Sequence, residues 1–570
     1  MNTKRTSVLV ILSAAIAICI AMVVGRPACE PTSSAIVQAA DLETAAEAVR
    51  SVGGEITHEL EIIRAVGTRL SHQQLERLRR ADPELTVYVD SPVAVAAKPV
   101  RMEATVYPRA VWAGLLHDEG ITGEGVTIAV LDTGAMSHVV LNKTTSGLWR
   151  HIAQYDAILN QVLASLAIAD TGPQSGVGIF TNDEAGHGSH VASIAVSSEE
   201  QVSRSDEYDG VAPDAFLVTV KAFDANGQGT YSDVIRGINW IVQNKDVYGI
   251  KVLNCSFSAE VRSHYWDDPL NQAIMAAWQA GIVVVASAGN TGPEPMTIGV
   301  PGNNPYVITV GAMTDNYTPY DSVDDSLASF SSAGPTYEGF VKPDVLAPGG
   351  HLRGMMQTGT TLTVEHPEFF FGSNYFVMSG TSQAAAVVSG VVALMLQVEP
   401  TLAPDDVKCR LMSTAQPRTD SGSQNGVASY SILQQGAGLV HAWDAAYSTD
   451  YGCVNNGLEV ANDLLGIEHY GGRVNQAPDG TFYLMDPNDD EGDGDYVLEG
   501  DGYTWTGAYF WNDGWVWSDA YFWNDAYFWN DAYLWNDAYF WNDAYFWNDA
   551  YFWNDTLVEP LAVNVWVPQE

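Results

Sequence analysis

The chain has 570 residues, 46% of them hydrophobic, and carries 69 acidic against 26 basic side chains for a net charge of −43. That length exceeds a single compact core and requires several units. The acidic excess argues against nucleic acid as a partner, because such binding neutralises phosphates with Lys and Arg, and suits a soluble protein in a salty or extracellular setting.

Lys4 and Arg5 precede an apolar run over residues 8–24, with small residues at Gly25 and Ala28. A positive start followed by an apolar stretch reads as a signal peptide over 1–25, its cleavage point open as far as about residue 39, and so predicts a secreted or cell-surface protein. The run is long enough that an uncleaved membrane anchor is the alternative. A lipid on Cys29 is the weakest option, since Arg26-Pro27-Ala28 makes a poor lipidation signal. Residues 41–100 carry a helical pattern at Leu75, Leu78 and Arg79 between strand-like stretches 56–63 and 85–89. This predicts a small βαβ-type unit of α+β class, closed by an Ala/Pro/Val linker over 91–100.

From Tyr107 to about Ser448, short β-branched runs alternate with helical stretches. Strands are expected at 126–131, 217–220, 252–257, 282–286 and 307–310, and helices at 231–244 and 269–280. Continuous apolar strands separated by helices predict a three-layer α/β unit over 101–449, a parallel sheet with helices on both faces. Reacting side chains then belong at the carboxyl ends of the strands. Of five cysteines, Cys19 and Cys29 fall in the leader and pro-segment region, and Cys255 lies in an apolar run that reads as a buried free thiol. Cys409 and Cys453 either pair or stay reduced; the sequence leaves both open.

Beyond Cys453 the composition changes, with 22 acidic residues and one basic residue, Arg473, over 451–570. Residues 450–507 read as an acidic linker or small module. The carboxylate-rich stretch 486–501 is closer to a solvated linker than to a Ca²⁺ loop, because its spacing matches no EF-hand. Eight tandem hexads follow over 508–555, mostly Ala-Tyr-Phe-Trp-Asn-Asp, and a tail closes the chain at 556–570. An even period keeps each position on one face of an extended chain, so a stacked, β-type repeat is expected. The alternatives are an aromatic strip that contacts a cell surface or polysaccharide, and a disordered or removed tail.

Three segments carry the chemistry together. Asp132-Thr133-Gly134 ends the first apolar strand, His187-Gly188-Ser189-His190 opens a helix, and Gly380-Thr381-Ser382-Gln383-Ala384 precedes an Ala/Val-rich helix running to Leu396. A serine hydroxyl is a weak nucleophile that needs an adjacent base. Histidine is such a base, and a carboxylate fixes its tautomer and stabilises the imidazolium. Serine at a helix start also aims a backbone N–H at a developing oxyanion. Asp132, His187 and Ser382 are the candidate catalytic residues; His190 is read as structural.

In this order and spacing the motifs resemble the subtilisin (S8) family of serine proteases over about residues 107–448. The resemblance extends to Gly210-Val211-Ala212-Pro213, Ala286-Ser287-Ala288-Gly289-Asn290, Phe330-Ser331-Ser332-Ala333-Gly334-Pro335, Lys342-Pro343-Asp344 and Gln435-Gly436-Ala437-Gly438. It implies a secreted endopeptidase that hydrolyses protein or peptide substrates through an acyl-enzyme and removes its own inhibitory pro-segment, here 41–100. It also implies Asn290 as the oxyanion-hole side chain, and Ser256, Phe257, Ser258 and Gly289 as the substrate-binding wall. No cofactor is required for the chemistry. Structural Ca²⁺ is compatible with the resemblance, with no ligands assigned. The chain departs from the family pattern at Ser193, Ser258, Gln383 and Ala386, which leaves the chemistry intact and the pocket's shape open. The long interval between Asp132 and His187 suggests an insertion over 142–178 near the cleft. The rival reading is a protease fold serving as an adhesion module, with the repeat as its working surface. A complete triad with Asn290 argues against it. An esterase or a tripeptide-releasing exopeptidase is the weaker enzymatic alternative.

Overall fold

Two helices and four strands make the N-terminal unit: β1 (Thr32–Gln38), α1 (Leu42–Ser51), β2 (Glu55–Leu60), β3 (Ala65–Ser71), α2 (His72–Ala81) and β4 (Thr86–Val89). The sheet is antiparallel in the order β2-β3-β1-β4. Each helix therefore links two parallel strands with a third lying between them, so the expected βαβ unit is present twice, interleaved. Leu75 and Leu78 are buried as their spacing predicts, together with Ala45, Ala46 and Val49 of α1. The expected start at residue 41 is corrected: β1, which bonds to both β3 and β4, lies before it. The computed structural model describes residues 32–81, 85–90, 92–95, 105–166, 179–200, 208–318, 323–418, 429–476, 480–484, 496–497 and 515–516.

The chain continues through β5 (Pro92–Val95), β6 (Thr127–Asp132), β7 (His151–Asp156), β8 (Gln161–Ser165), α3 (His187–Val196), β9 (Phe216–Lys221), β10 (Gln228–Thr230) and α4 (Tyr231–Tyr248). Then come β11 (Ile250–Cys255), β12 (Phe257–Ser258), α5 (Pro269–Gln279), β13 (Val283–Ser287), β14 (Ile308–Thr314), β15 (Ser326–Leu327), β16 (Val345–Pro348), α6 (Thr381–Val398) and α7 (Pro404–Thr414). The central sheet runs β15-β14-β13-β11-β6-β9-β7-β8, with β16 beside β14. It is parallel except for β8 and β15, which flank it antiparallel. Helices α3 and α6 pack on one face and α4 and α5 on the other, the three-layer α/β class expected. Helix α6 is buried from Thr381 to Leu396, as an all-round apolar helix must be.

The interval read as an insertion is partly the sheet itself. Its described residues supply β7, which pairs parallel with β9, and β8, which turns back along β7. The expected boundary at 449 is no break either. Cys409 of α7 is bonded to Cys453, and buried Asp463 accepts the hydroxyls of Tyr265 at 2.6 Å and Tyr306 at 3.0 Å. Cys255 is buried and free. The repeat lies outside the described residues, apart from Trp515–Val516, whose backbone pairs antiparallel with Tyr470–Gly471. The leader stretch lies outside them as well.

The Lys342-Pro343-Asp344 motif acquires a structural reason. Asp344 binds Lys342 at 2.6 Å and Lys408 at 3.1 Å, all three buried. Burial draws the Lys342 ammonium down to about 7 against the pull of Asp344. The Cys409–Cys453 link spans 44 residues, which by loop closure contributes about 3–4 kcal/mol. Replacing both cysteines by alanine should lower the unfolding free energy by that amount in a denaturant titration, and an unchanged midpoint would contradict the estimate.

Candidate active site

Asp132 closes β6 and His187 opens α3. The His187 Nδ1–H donates to Asp132 Oδ1 at 2.7 Å, and the same oxygen accepts the Thr133 N–H at 2.7 Å. Gly188 must be glycine here, since a Cβ would collide with the Gly134 carbonyl of the Asp132 loop. With a proton on Nδ1 alone, the His187 imidazole presents Nε2 as a lone-pair acceptor. That Nε2 is buried and has no hydrogen-bond partner.

A carboxylate that carries no motif of its own ties these two segments together. Asp183 accepts the Thr133 hydroxyl at 2.7 Å, the Gly186 N–H at 2.7 Å, the Ser189 N–H at 2.7 Å and the Ser189 hydroxyl at 2.6 Å. Thr133 Oγ1 in turn accepts the Gly188 N–H at 2.8 Å. Asp183 thus caps α3 and pins the Asp132 loop to it. In sequence, Asn182-Asp183-Glu184 reads only as a polar turn; its closeness to His187 is the one available signal. Asp183→Ala should lower kcat by about 10- to 100-fold with KM little changed, the effect of a small misplacement of a reacting group. Asp183→Asn, which keeps one acceptor, should recover part of it. A kcat within twofold of wild type in Asp183→Ala would show that Asp183 does not position His187.

Ser382 is the second residue of α6. Its hydroxyl donates to the Ser256 carbonyl at 3.0 Å, and the Ser256 hydroxyl donates back to the Ser382 carbonyl at 2.8 Å. Asn254 and Ser389 continue the ladder at 2.8 and 2.9 Å. The Ser382 hydroxyl is therefore turned to Ser256, while Nε2 of His187 stays free. A hydroxyl is a rotor, and such bonds often form only with substrate bound. Asn290 follows β13, and its Oδ1 accepts the Thr381 N–H at 2.9 Å and the Thr381 hydroxyl at 2.8 Å. These two donors fix the sense of the amide and leave the buried Nδ2 without a partner.

β5 lies as a strand between two others, antiparallel to β10 on one side and to β12 on the other. The N-terminal unit before it is held by Asp90, which accepts the Ser232 N–H at 2.9 Å and hydroxyl at 2.8 Å. Gln38 adds a bond to Gln272 at 2.6 Å. In this chain Asp132, His187 and Ser382 are all 0% exposed. Phe257 is buried and turns its ring to Phe223, with centroids 5.2 Å apart. Gly289 holds φ +109, a conformation reserved for glycine.

Two departures from the family pattern, Gln383 and Ser193, each bond to His190. His190 donates from Nε2 to the Phe376 carbonyl at 3.1 Å, and Gln383 Nε2 faces its Nδ1 at 3.5 Å. Burial draws His190 down to about 3, so it stays neutral, a structural tie. Ser193 accepts the Met355 N–H at 2.7 Å. No group of three or more His, Cys, Asp or Glu side chains suited to a metal occurs among the described residues, so no ligand set is assigned for Ca²⁺.

The chain is similar to known proteins. Serine protease AprX of Bacillus subtilis is 40% identical over 297 residues, covering 51% of this chain and 61% of AprX, so the chain spans less than two thirds of that relative. Subtilisin E of Bacillus subtilis is 28% identical over 375 residues, 65% of this chain and 80% of its own. Fervidolysin from Fervidobacterium pennivorans, a keratinolytic enzyme related to subtilisin, superposes with a TM-score of 0.57 at 21% identity over 82% of this chain and 67% of that one, a likeness of fold. The sequence profile of the subtilase family matches residues 123–435, more than half of the chain and all of the groups above from Asp132 to Ser382, and the chain belongs to that family.

Proposed function

We propose that the chain is a secreted serine endopeptidase, made as a self-processed precursor, with Asp132, His187 and Ser382 as its triad and Asn290 in its oxyanion hole. One observation carries this reading: His187 Nε2 and Asn290 Nδ2 are both buried and unpartnered. An unpaired buried polar group costs about 1–3 kcal/mol. A serine hydrolase needs such an acceptor to take the serine's proton and such a donor for the oxyanion, and Asn290 is tied through its Oδ1 to Thr381, the neighbour of Ser382.

In the proposed reaction the Ser382 hydroxyl attacks a peptide carbonyl and its proton passes to His187 Nε2. Asp132 holds the imidazole in the receptive tautomer and stabilises the imidazolium. The oxyanion accepts hydrogen bonds from Asn290 Nδ2 and the Ser382 N–H. Collapse breaks the C–N bond, His187 returns the proton to the leaving amine, and water cleaves the acyl-enzyme by the same relay. Residues 32–95 act as the inhibitory pro-segment, a reading supported by the pairing of β5 between β10 and β12. Leader cleavage after Gly25 keeps β1, whereas cleavage near residue 39 would remove it.

The test is a comparison of wild type with Ser382→Ala. Wild type should degrade casein and lose its pro-segment, while the variant should accumulate at precursor mass and leave casein intact. A variant that matures normally in a protease-free preparation would refute self-processing.

A further inference from the structure

Ser258 stands where the family pattern favours glycine, and the structure shows what its hydroxyl fills. β12 and the turn at Ala288–Gly289 face each other across a gap, and the turn is tied to α6 where the Gly289 N–H donates to the Thr381 hydroxyl at 3.2 Å. Gly299 closes the far end of the gap. Its N–H donates to the Ala288 carbonyl at 3.2 Å, and Ala259 and Val300 exchange backbone bonds of 2.8 Å in both directions. A Cβ added to Gly299 would collide with Ser258 Oγ. One added to Gly289 would stand 3.3 Å from the same atom and 2.9 Å from Ser332 Oγ. The Ser258 hydroxyl thus occupies the space between the two glycines, with the Ser332 hydroxyl beside it.

We propose that the cleft accepts only small side chains, those of alanine or serine, at the residue whose carbonyl is attacked. Ser258 sets this limit, which rests on the endopeptidase reading of Ser382. The strand register agrees. Ser258 faces Ala94 and Phe257 faces Val95 across the antiparallel pair. The next position on that strand is Ser256, whose carbonyl holds the Ser382 hydroxyl. A substrate seated in this register therefore brings to Ser382 the residue after the one facing Phe257. In the chain's own sequence the residues after Val95 are Ala96 and Ala97, so the same count assigns the first self-cleavage to the Ala96–Ala97 bond. Both partners of that bond are small.

The experiment uses the self-processed full chain and four peptide anilides that differ only in the last residue, Ala, Ser, Leu or Phe. Wild type should favour Ala or Ser over Phe by about 100-fold in kcat/KM, the range that a misfitting side chain costs in a filled pocket. Ser258→Gly should narrow that ratio at least about tenfold, with Ser258→Ala intermediate, a second variant should the glycine chain fail to fold. The mature protein should begin at Ala97. A wild-type preference for Leu or Phe, a ratio unmoved in both variants, or fluorophosphonate labelling without turnover of the Ala and Ser peptides would overturn the pocket assignment while leaving Ser382 as nucleophile. A mature start elsewhere would overturn the register assignment. No turnover and no labelling at all would overturn the endopeptidase reading, and this inference with it.

Discussion

Ser382→Ala should lower kcat on peptide substrates by about 10⁶-fold, the loss that follows removal of the nucleophile in subtilisin itself. The effect is this large because the other groups act through the serine. Without an oxygen to attack, the lone pair on His187 Nε2 has no proton to take and Asp132 has no imidazolium to stabilise. The fold should survive. Ser382 lies at the start of α6, where its backbone carbonyl still accepts the Ser256 hydroxyl at 2.8 Å, and alanine loses only the bond to the Ser256 carbonyl. Residual turnover above about 1% of wild type, in protein free of other proteases, would mean that a different group performs the attack.

Asn290→Ala should be the next largest change. Its Nδ2 is the buried donor left without a partner. Removing one oxyanion donor costs about 10²- to 10³-fold in kcat, a range set by the corresponding asparagine of subtilisin. The loss falls on kcat because the oxyanion exists only in the transition state; KM should stay within a few-fold. The same substitution removes the acceptor for the Thr381 N–H and hydroxyl, so a modest loss of stability should accompany it. A kcat within about threefold of wild type would remove Asn290 from the oxyanion hole.

The parallel sheet is legible in the sequence because its strands are buried on both faces, which leaves near-continuous apolar runs such as residues 126–131 and 282–286. The five expected strands and two expected helices all occur, displaced at their ends by at most four residues. The Asp132, His187 and Ser382 segments are legible as well, because each pairs a reactive side chain with glycines that permit close approach. β1 escapes such a reading because Thr32-Ser33-Ser34-Ala35 lacks the bulky alternation of a strand and follows the stretch read as a leader. β7 escapes it because its pairing with β9 is set by distant residues. Asp183 has no local signature, since its donors converge on it only after folding. The Cys409–Cys453 pairing likewise depends on α7 meeting a segment 44 residues away. The turn of the Ser382 hydroxyl toward Ser256 rather than His187 lies beyond any sequence signal.

The most direct test of the central claim is the site of covalent capture. After reaction of the self-processed chain with a fluorophosphonate, peptide mass mapping should find a single adduct, on Ser382. No adduct on the wild type, or an adduct on another serine with Ser382 unmodified, would contradict the assignment of Ser382 as the nucleophile.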